Sequence, residues 1–175
     1  NAIVDTLAFV EDPFVEKHQI ARGVMTLVES DRQAEILYDL QNQSLELRSG
    51  GSAANTMYNI ALSGGNGVYI GKVSGDTNGE FYRRDMEKVG IVFDVQPFPE
   101  NEGPTGTCVI LTTPDAERTM CTHLGVSVRL QKSDIDVDRL KDSKVLYVEG
   151  YLFMGPDTKD AAMESMEQAK KHNVP

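Results

Sequence analysis

A glycine pair followed by small side chains is the first feature of this chain that could do chemistry. Residues 49–56 read Ser-Gly-Gly-Ser-Ala-Ala-Asn-Thr, at a predicted change from strand to helix. A ligand can approach the backbone closely at Gly50 and Gly51, and the free N–H groups of a helix N-terminus can bind its oxygens. Asn55, in the first turn, can both donate to and accept from a hydroxyl. A tight turn packed against its neighbours explains the same residues equally well.

Two carboxylates are predicted at the edge of a sheet. Asp5 is placed at the end of an apolar opening strand, and Glu149 follows the apolar run Val145 to Val148. Ligands of open α/β sheets bind outside the carboxyl ends of the strands, where an Asp can accept hydrogen bonds from a sugar diol. A turn or capping role is the alternative for Asp5 and is favoured on position alone. A solvated loop position is the alternative for Glu149.

Other common kinds of site find no support in the motifs. The histidines His18, His123 and His172 show no paired ligand spacing, so no metal site is predicted. Gly64-Gly65-Asn66-Gly67 precedes a predicted strand instead of following one, and Gly71-Lys72-Val73 lacks the glycine spacing and the hydroxyl residue of a P-loop. A dinucleotide-binding dehydrogenase and a P-loop kinase are therefore both disfavoured.

The elements that must position these residues alternate between strand and helix. The opening run, Val68 to Val73 and Lys144 to Glu149 are predicted strands, the last two buried as in a parallel sheet. Three further short strands are predicted without helices between them: Ile91 to Val95, Thr105 to Thr113 and Arg118 to Leu124. The predicted fold class is α/β, a Rossmann-like doubly wound sheet with an inserted small β-sheet lid.

Charge and composition exclude several partners. The chain has 27 acidic and 17 basic residues among 175, a net charge of −10. Such a field repels a phosphate backbone or an anionic lipid surface, so neither nucleic acid nor membrane is an expected partner. No apolar run approaches the roughly 18 residues that span a bilayer. Cys108 and Cys121 are too few for a disulfide scaffold, which favours a cytoplasmic location.

Both ends of the chain indicate an incomplete N-terminal portion of a longer protein. The sequence opens without a methionine on a strand already under way, and it stops at Pro175 after a helix, at the lead-in to another strand. We therefore expect residues 1–175 to form the N-terminal part of one α/β domain.

The motifs, taken in order, resemble the N-terminal signature of the ribokinase-like carbohydrate and nucleoside kinases, the PfkB family. The matching stretches run along essentially the whole chain: Asn1 to Asp5, Gly50 to Thr56, Gly64-Gly65, Gly71 to Asp76, Gly90, Glu117 to Met120 and Val148 to Leu152. The resemblance implies ATP-dependent transfer of phosphate to a primary hydroxyl. It also implies a lid, with strands inserted at about 14–49 and 91–124, whose closure excludes water as a competing acceptor.

The same resemblance implies which residues form the acceptor site. Seven positions match: Asn1, Asp5, Gly50, Gly51, Ser52, Asn55 and Glu149. Asp5 and Asn55 would bind the sugar hydroxyls, and the glycine pair would line the sugar with backbone. Asn1 would lie near a base or a distal sugar group, and Glu149 at the substrate edge.

One departure from the family pattern concerns catalysis. The family's Gly-Ala-Gly-Asp motif, whose Asp is the general base, and its Asn-x-x-Glu motif, associated with Mg²⁺, are absent from these residues. The resemblance therefore places the catalytic base downstream of Pro175, with no catalytic residue and no metal ligand in this chain. ATP and Mg²⁺ would bind mainly through the missing C-terminal half, and we expect this portion alone to be inactive.

The acceptor is a small-molecule sugar or nucleoside. Ribokinases typically have Lys where this chain has Ser52, and Glu149-Gly150-Tyr151-Leu152 looks more like adenosine-kinase-like members, so the adenosine-kinase-like subgroup is favoured. The alternatives are a ribose- or fructose-type sugar kinase of the same family and a non-catalytic protein that binds a sugar or nucleoside. The resemblance also leaves open a homodimer formed through the lid.

Overall fold

The computed structural model describes all 175 residues and contains five strands and six helices. The strands are β1 (Ile3–Phe9), β2 (Met25–Leu27), β3 (Glu46–Gly50), β4 (Gly106–Thr112) and β5 (Arg118–His123). The helices are α1 (Asp12–Lys17), α2 (Ser30–Asp39), α3 (Ser52–Leu62), α4 (Thr77–Lys88), α5 (Val137–Lys141) and α6 (Pro156–Lys171). Short 3₁₀ turns cover Glu100–Glu102, Gly125–Arg129, Lys132–Asp134 and Gly150–Met154.

All five strands form one mixed sheet in the order β2-β5-β4-β1-β3. The strand β1 runs parallel to β4 and antiparallel to β3, while β4 and β5 pair antiparallel and β2 joins β5 in parallel. Helices flank this sheet, so the predicted α/β class is confirmed. The segments 14–49 and 91–124, predicted to carry lid strands, supply β2, β3, β4 and β5, and their role as a lid stays a prediction.

The two faces of the sheet carry different residues because side chains alternate along each strand. On one face, Ala8 of β1 joins Val109 and Leu111 of β4 in a cluster with Ile36 and Leu40 from the α2 region. On the other face, the β1 residues Ile3, Asp5 and Leu7 are paired in register with residues of β3 and β4. Along β1, this second face places the Asp5 carboxylate between the apolar side chains of Ile3 and Leu7.

The largest buried cluster lies beneath the start of β1. It consists of Ala2, Val4, Ala54, Tyr69, Val73, Tyr82, Met86, Ile91, Phe93 and Val95. Tyr82 and Met86, four residues apart on α4, share one helix face and are fully buried. This cluster packs α3 and α4 against the extended segment 68–74 and so fixes the position of the α3 N-terminus.

Three predicted strands differ from the structure. The segments Val68 to Val73 and Ile91 to Val95 are largely buried, but neither is a strand, and they share a single isolated bridge, Val68 with Val92. The segment Lys144 to Glu149 is not a strand either, and most of it is not buried, since Val145 is 66% exposed and Tyr147 57%. The reason is that no neighbouring strand pairs with it: its one ladder-like contact is the Leu146 N–H donating to the Pro175 carbonyl, at 2.8 Å.

The last third of the chain folds around α6. This helix packs on α5 and on the turns Lys132–Asp134 and Gly150–Met154. Leu140, Ala169 and Val174 are the buried centre of the unit. No helix in the structure combines the length and the apolar character needed to cross a bilayer.

Candidate functional site

Asp5 lies inside β1, as the third of its seven residues, and not at the carboxyl end of the strand as predicted. The strand continues because residues up to Phe9 pair with β4. Its register places Asp5 between Arg48 of β3 and Cys108 of β4. A Cβ atom at Gly50 would lie 2.3 Å from the Asp5 carboxyl carbon. The carboxylate thus occupies the space that a side chain at Gly50 would need.

Burial shapes the acid–base behaviour of Asp5. Loss of hydration raises its pKa from 3.8 to about 6, and the Arg118 guanidinium, on the next strand but one, partly offsets the effect. The group is therefore ionised at neutral pH. An ionised carboxylate is an acceptor only, with two oxygens that can take hydrogen bonds from a diol.

The second glycine shapes the turn from β3 into α3. Gly51 has φ +94°, and a Cβ there would lie 2.3 Å from the Asn1 carbonyl oxygen, so both conformation and space require glycine. Gly51 is also the N-cap of α3 and supplies no side-chain cap, which leaves the first N–H groups of the helix without intrahelical partners. Ser52 and Asn55 are exposed in this first turn, and the Asn55 N–H donates to the Gly51 carbonyl at 2.9 Å.

Glu149 reaches the same region from the far end of the sequence. Its side chain is buried, and the Tyr147 hydroxyl donates to its Oε1 at 3.4 Å. The carboxylate is within electrostatic reach of the buried Tyr69 hydroxyl. Burial, and in smaller part the charge of Glu149, raises the pKa of Tyr69 to about 12. Glu149 is therefore not the solvated loop residue that was the alternative.

An apolar cluster flanks Asp5 on the same face of the sheet. Its buried centre is Ile3, Cys108 and Ile110, and the partly buried side chains packed on it are Leu7, Met120 and Leu124. Burial raises the pKa of Cys108 to about 12, and the Thr122 hydroxyl donates to its Sγ at 3.2 Å. Cys108 is consequently a neutral, apolar wall of the site and not a nucleophile.

Contacts join most of the seven predicted site residues. Asp5 lies against Gly50, Asn1 lies against Gly51, and Gly51 is one helical turn from Asn55. The exposed side chains of Ser52 and Asn55 make no contact with Asp5 that would fix their part in binding, so their roles stay predictions. The structure adds Tyr82, whose hydroxyl donates to the Gly50 carbonyl at 3.1 Å. The sequence signal for it is weak: a tyrosine on the buried face of a helix needs a partner for its hydroxyl.

The residues present do not fit a divalent cation. Among all 175 residues, no group of three or more His, Cys, Asp or Glu side chains is arranged to hold a metal ion. Asp5 and Glu149 are the buried carboxylates of the site, and neither belongs to such a group. The arrangement is therefore suited to binding hydroxyls and an apolar ring, and it provides no metal-dependent chemistry of its own.

Comparison with known protein families gives a clear match. The sequence profile of the pfkB family carbohydrate kinases matches residues 26–175. The chain belongs to this family. The match covers most of the chain, including the glycine pair and Glu149, and begins after Asp5.

Individual pfkB relatives include both nucleoside and sugar kinases. Guanosine-inosine kinase from Escherichia coli K12 is 27% identical over the whole chain, which spans 42% of that protein. Among solved structures, adenosine kinase from Sinorhizobium meliloti matches 99% of the chain with 40% identity and a TM-score of 0.88. A probable sugar kinase from Rhizobium etli CFN 42 matches 98% with 35% identity and the same TM-score. The chain spans about half the length of these relatives.

Proposed function

We propose that this chain forms the acceptor site of an ATP-dependent kinase that phosphorylates the primary hydroxyl of a nucleoside. The observation that carries the proposal is Asp5, a half-buried carboxylate packed against Gly50 and flanked by an apolar cluster. Membership of the pfkB family supports phosphate transfer as the reaction class. The similarity to an adenosine kinase and to a guanosine-inosine kinase supports the nucleoside.

Asp5 and the glycine turn would bind the sugar. The ionised carboxylate can accept from two adjacent hydroxyls, and glycine at position 50 leaves room for that carboxylate beside the backbone. Asn55 would add one amide contact from the first turn of α3. The free N–H groups at the start of this helix can donate to further sugar oxygens.

The apolar cluster favours a nucleoside over a free sugar. A base has two broad apolar faces and needs a slot lined by hydrophobic side chains, whereas a free sugar presents hydroxyls in every direction. Ile3, Leu7 and Ile110 provide such a wall on the face that carries Asp5. A ribose- or fructose-type acceptor is the second candidate, and the similarity to a probable sugar kinase supports it.

ATP and Mg²⁺ belong to the proposed reaction but not to the residues described above. Since no side-chain group in the chain can hold a metal, we assign both to the part of the relatives' length that this chain does not span. The chain's own contribution is to bind and orient the acceptor and to exclude water. A cytoplasmic location, a homodimer through the lid and the inactivity of the 175-residue portion alone stay predictions.

The test is an acceptor screen on the intact protein that contains this chain. Intact-mass measurement first establishes its length, and ADP release is then followed with adenosine, guanosine, inosine, ribose and fructose. Binding of each compound is measured separately by calorimetry without ATP. We expect ADP release with a nucleoside and none with a free sugar.

Each other outcome selects one of the alternatives. ADP release with ribose or fructose only would replace the nucleoside by a sugar. Binding of a nucleoside without ADP release, at any nucleoside tested, would replace the kinase by a non-catalytic binding protein. Neither binding nor turnover would overturn the proposed site.

A further inference from the structure

A buried tyrosine hydroxyl forms a hydrogen bond with the Gly50–Gly51 peptide. Tyr82, on α4, is fully buried, and its hydroxyl donates to the Gly50 carbonyl at 3.1 Å. Its ring contacts those of Tyr69 and Phe93, with ring centroids 6.0 and 5.5 Å away. Three aromatic rings therefore fix where this hydroxyl points.

The direction of that hydrogen bond determines the direction of the next N–H. The chain has no cis peptide bond, and in a trans peptide the carbonyl and the following N–H point in opposite directions. Because the Gly50 carbonyl points into the core, the Gly51 N–H points away from it. This N–H makes no hydrogen bond within the chain.

The sheet holds only one side of the glycine peptide. Gly50 is the last residue of β3 and pairs in register with Ile3 of β1. Gly51 lies beyond the end of the strand, has no side chain to restrict its backbone, and meets a steric limit at the Asn1 carbonyl. The Tyr82 hydroxyl is the one side-chain donor that contacts the Gly50 carbonyl.

We propose that Tyr82 is a positioning residue of the acceptor site, which orients the Gly50–Gly51 peptide so that the Gly51 N–H faces the bound acceptor beside Asp5. The identity of the acceptor in this inference rests on the proposed function. The orientation of the peptide does not depend on it. Tyr82 touches neither acceptor nor phosphate and acts only through the glycine turn. Burial raises its pKa well above the ordinary value, so it remains a donor at every working pH.

The substitution Tyr82→Phe tests the inference in the intact protein, because it removes the hydroxyl and keeps the ring. We expect the Kd and KM of the acceptor to rise about five- to tenfold, the effect of about one neutral hydrogen bond. The KM for ATP and kcat should stay within about twofold, since the hydroxyl is tied to the acceptor side alone.

A matched control is Ile36→Val, in the buried cluster next to α2. Ile36 is fully buried, and its cluster shares no residue with the cluster that contains Tyr82. Its substitution should lower the melting temperature about as much as Tyr82→Phe and leave the acceptor Kd within about twofold. Equal rises in Kd for both variants, or no rise for Tyr82→Phe, would overturn the inference.

A second measurement reads the peptide directly and does not depend on activity. Labelling with ¹³C-carbonyl and ¹⁵N glycine gives signals only from adjacent glycines, which in these residues are Gly50–Gly51 and Gly64–Gly65. In unliganded Tyr82→Phe, the Gly51 amide signal should move while the Gly65 signal stays. If the Gly51 amide signal does not move, the positioning role is rejected, whatever acceptor the enzyme phosphorylates. If the signal moves but no acceptor binds or is phosphorylated, only the proposed function is rejected.

Discussion

The acceptor site rests on one unfavourable residue. Asp5 is a carboxylate in a mostly buried position, where loss of hydration raises its pKa from 3.8 to about 6. Because the folded chain removes part of the water around the ionised carboxylate, ionisation of Asp5 lowers the stability of the fold. Such a cost is common at binding sites, because the group is positioned for a ligand and not for the apo protein.

We therefore expect Asp5→Asn to weaken acceptor binding and to stabilise the fold at the same time. Binding should fall by about 100-fold, since two charge-assisted hydrogen bonds are lost. The folded pKa lies above the unfolded one, so wild-type stability is highest below 3.8 and declines as the pH rises through about 6. Near pH 8 the variant should be more stable by about 1–2 kcal/mol, allowing for partial solvent screening of the carboxylate.

Urea unfolding at several pH values, with calorimetric binding of the acceptor, measures both effects. The stability gain should vanish at about pH 3, below both pKa values, where the wild-type carboxyl is protonated in the folded and in the unfolded state. Asp160→Asn, an exposed site on α6, is the control and should change neither quantity. A variant less stable than wild type at neutral pH would contradict the assigned cause of the shift.

The residues of the site differ in how far sequence could predict them. Gly50 and Gly51 stand out as a glycine pair before a helix, Asp5 stands out mainly through the family resemblance, and the structure places the three together. Tyr82 could not be assigned in this way. Its partner is a backbone carbonyl 32 residues away, and the sequence pattern of α4 does not predict that contact.

At the scale of elements, Asp76 ties the start of α4 to the start of β4. Its Oδ1 accepts from the Gly79 N–H at 2.8 Å and from the Thr105 hydroxyl at 2.6 Å, while its Oδ2 accepts from the Thr105 N–H at 2.8 Å. The same Thr105 hydroxyl accepts from the Ser74 N–H at 2.9 Å. One carboxylate therefore fixes both the helix that carries Tyr82 and the strand that carries Cys108.

We expect Asp76→Ala to cost about 2–4 kcal/mol, the sum of a lost N-cap and of unsatisfied buried groups at Thr105. Asp136→Ala is the matched control. Asp136 caps α5 through the N–H groups of Asp138 and Arg139 but holds no second element, so its loss should cost about 1 kcal/mol. Urea unfolding measures both, and equal costs would show that the Thr105 contacts contribute nothing.

A local signal marks the start of α4, where Asp76 is the N-cap, whereas three predicted strands are missing from the structure. The apolar runs Val68 to Val73, Ile91 to Val95 and Lys144 to Glu149 were predicted as strands, but a ladder depends on a partner. The first two runs share one isolated bridge and the third has none, and the sequence of a run does not show whether a distant segment pairs with it.

Across the whole molecule, long-range connections are what sequence could least predict. The strand order places β1 between β4 and β3 and carries β2 to the far edge, although β2 precedes β3 in the chain. Asp134 was predicted to start a helix. Instead, it ends a 3₁₀ turn and pairs with Lys72, 62 residues earlier, at 2.6 Å with both side chains nearly buried. This pair joins the extended segment of the main core to the unit built around α6.

The Lys72–Asp134 pair should behave as a buried ion pair whose members depend on each other. Lys72→Met leaves the Asp134 carboxylate without its counter-ion and should cost about 3–5 kcal/mol. Adding Asp134→Asn removes that uncompensated charge, so the double variant should be more stable than Lys72→Met alone. Urea unfolding of the four members of this cycle gives the coupling free energy, and a double variant whose cost equals the sum of the two single costs would mean that the two charges act independently.

Salt provides the internal control for that cycle. The exposed pair Arg84–Glu80 on α4, with side chains 78% and 62% exposed, should contribute about 0.5 kcal/mol or less and lose it in about 1 M NaCl. The coupling of Lys72 with Asp134, at 9% and 10% exposure, should survive the same salt, because water and ions cannot screen a pair that they do not reach. A coupling that disappears in salt would place the pair at the surface and remove it as the link between the two parts of the molecule.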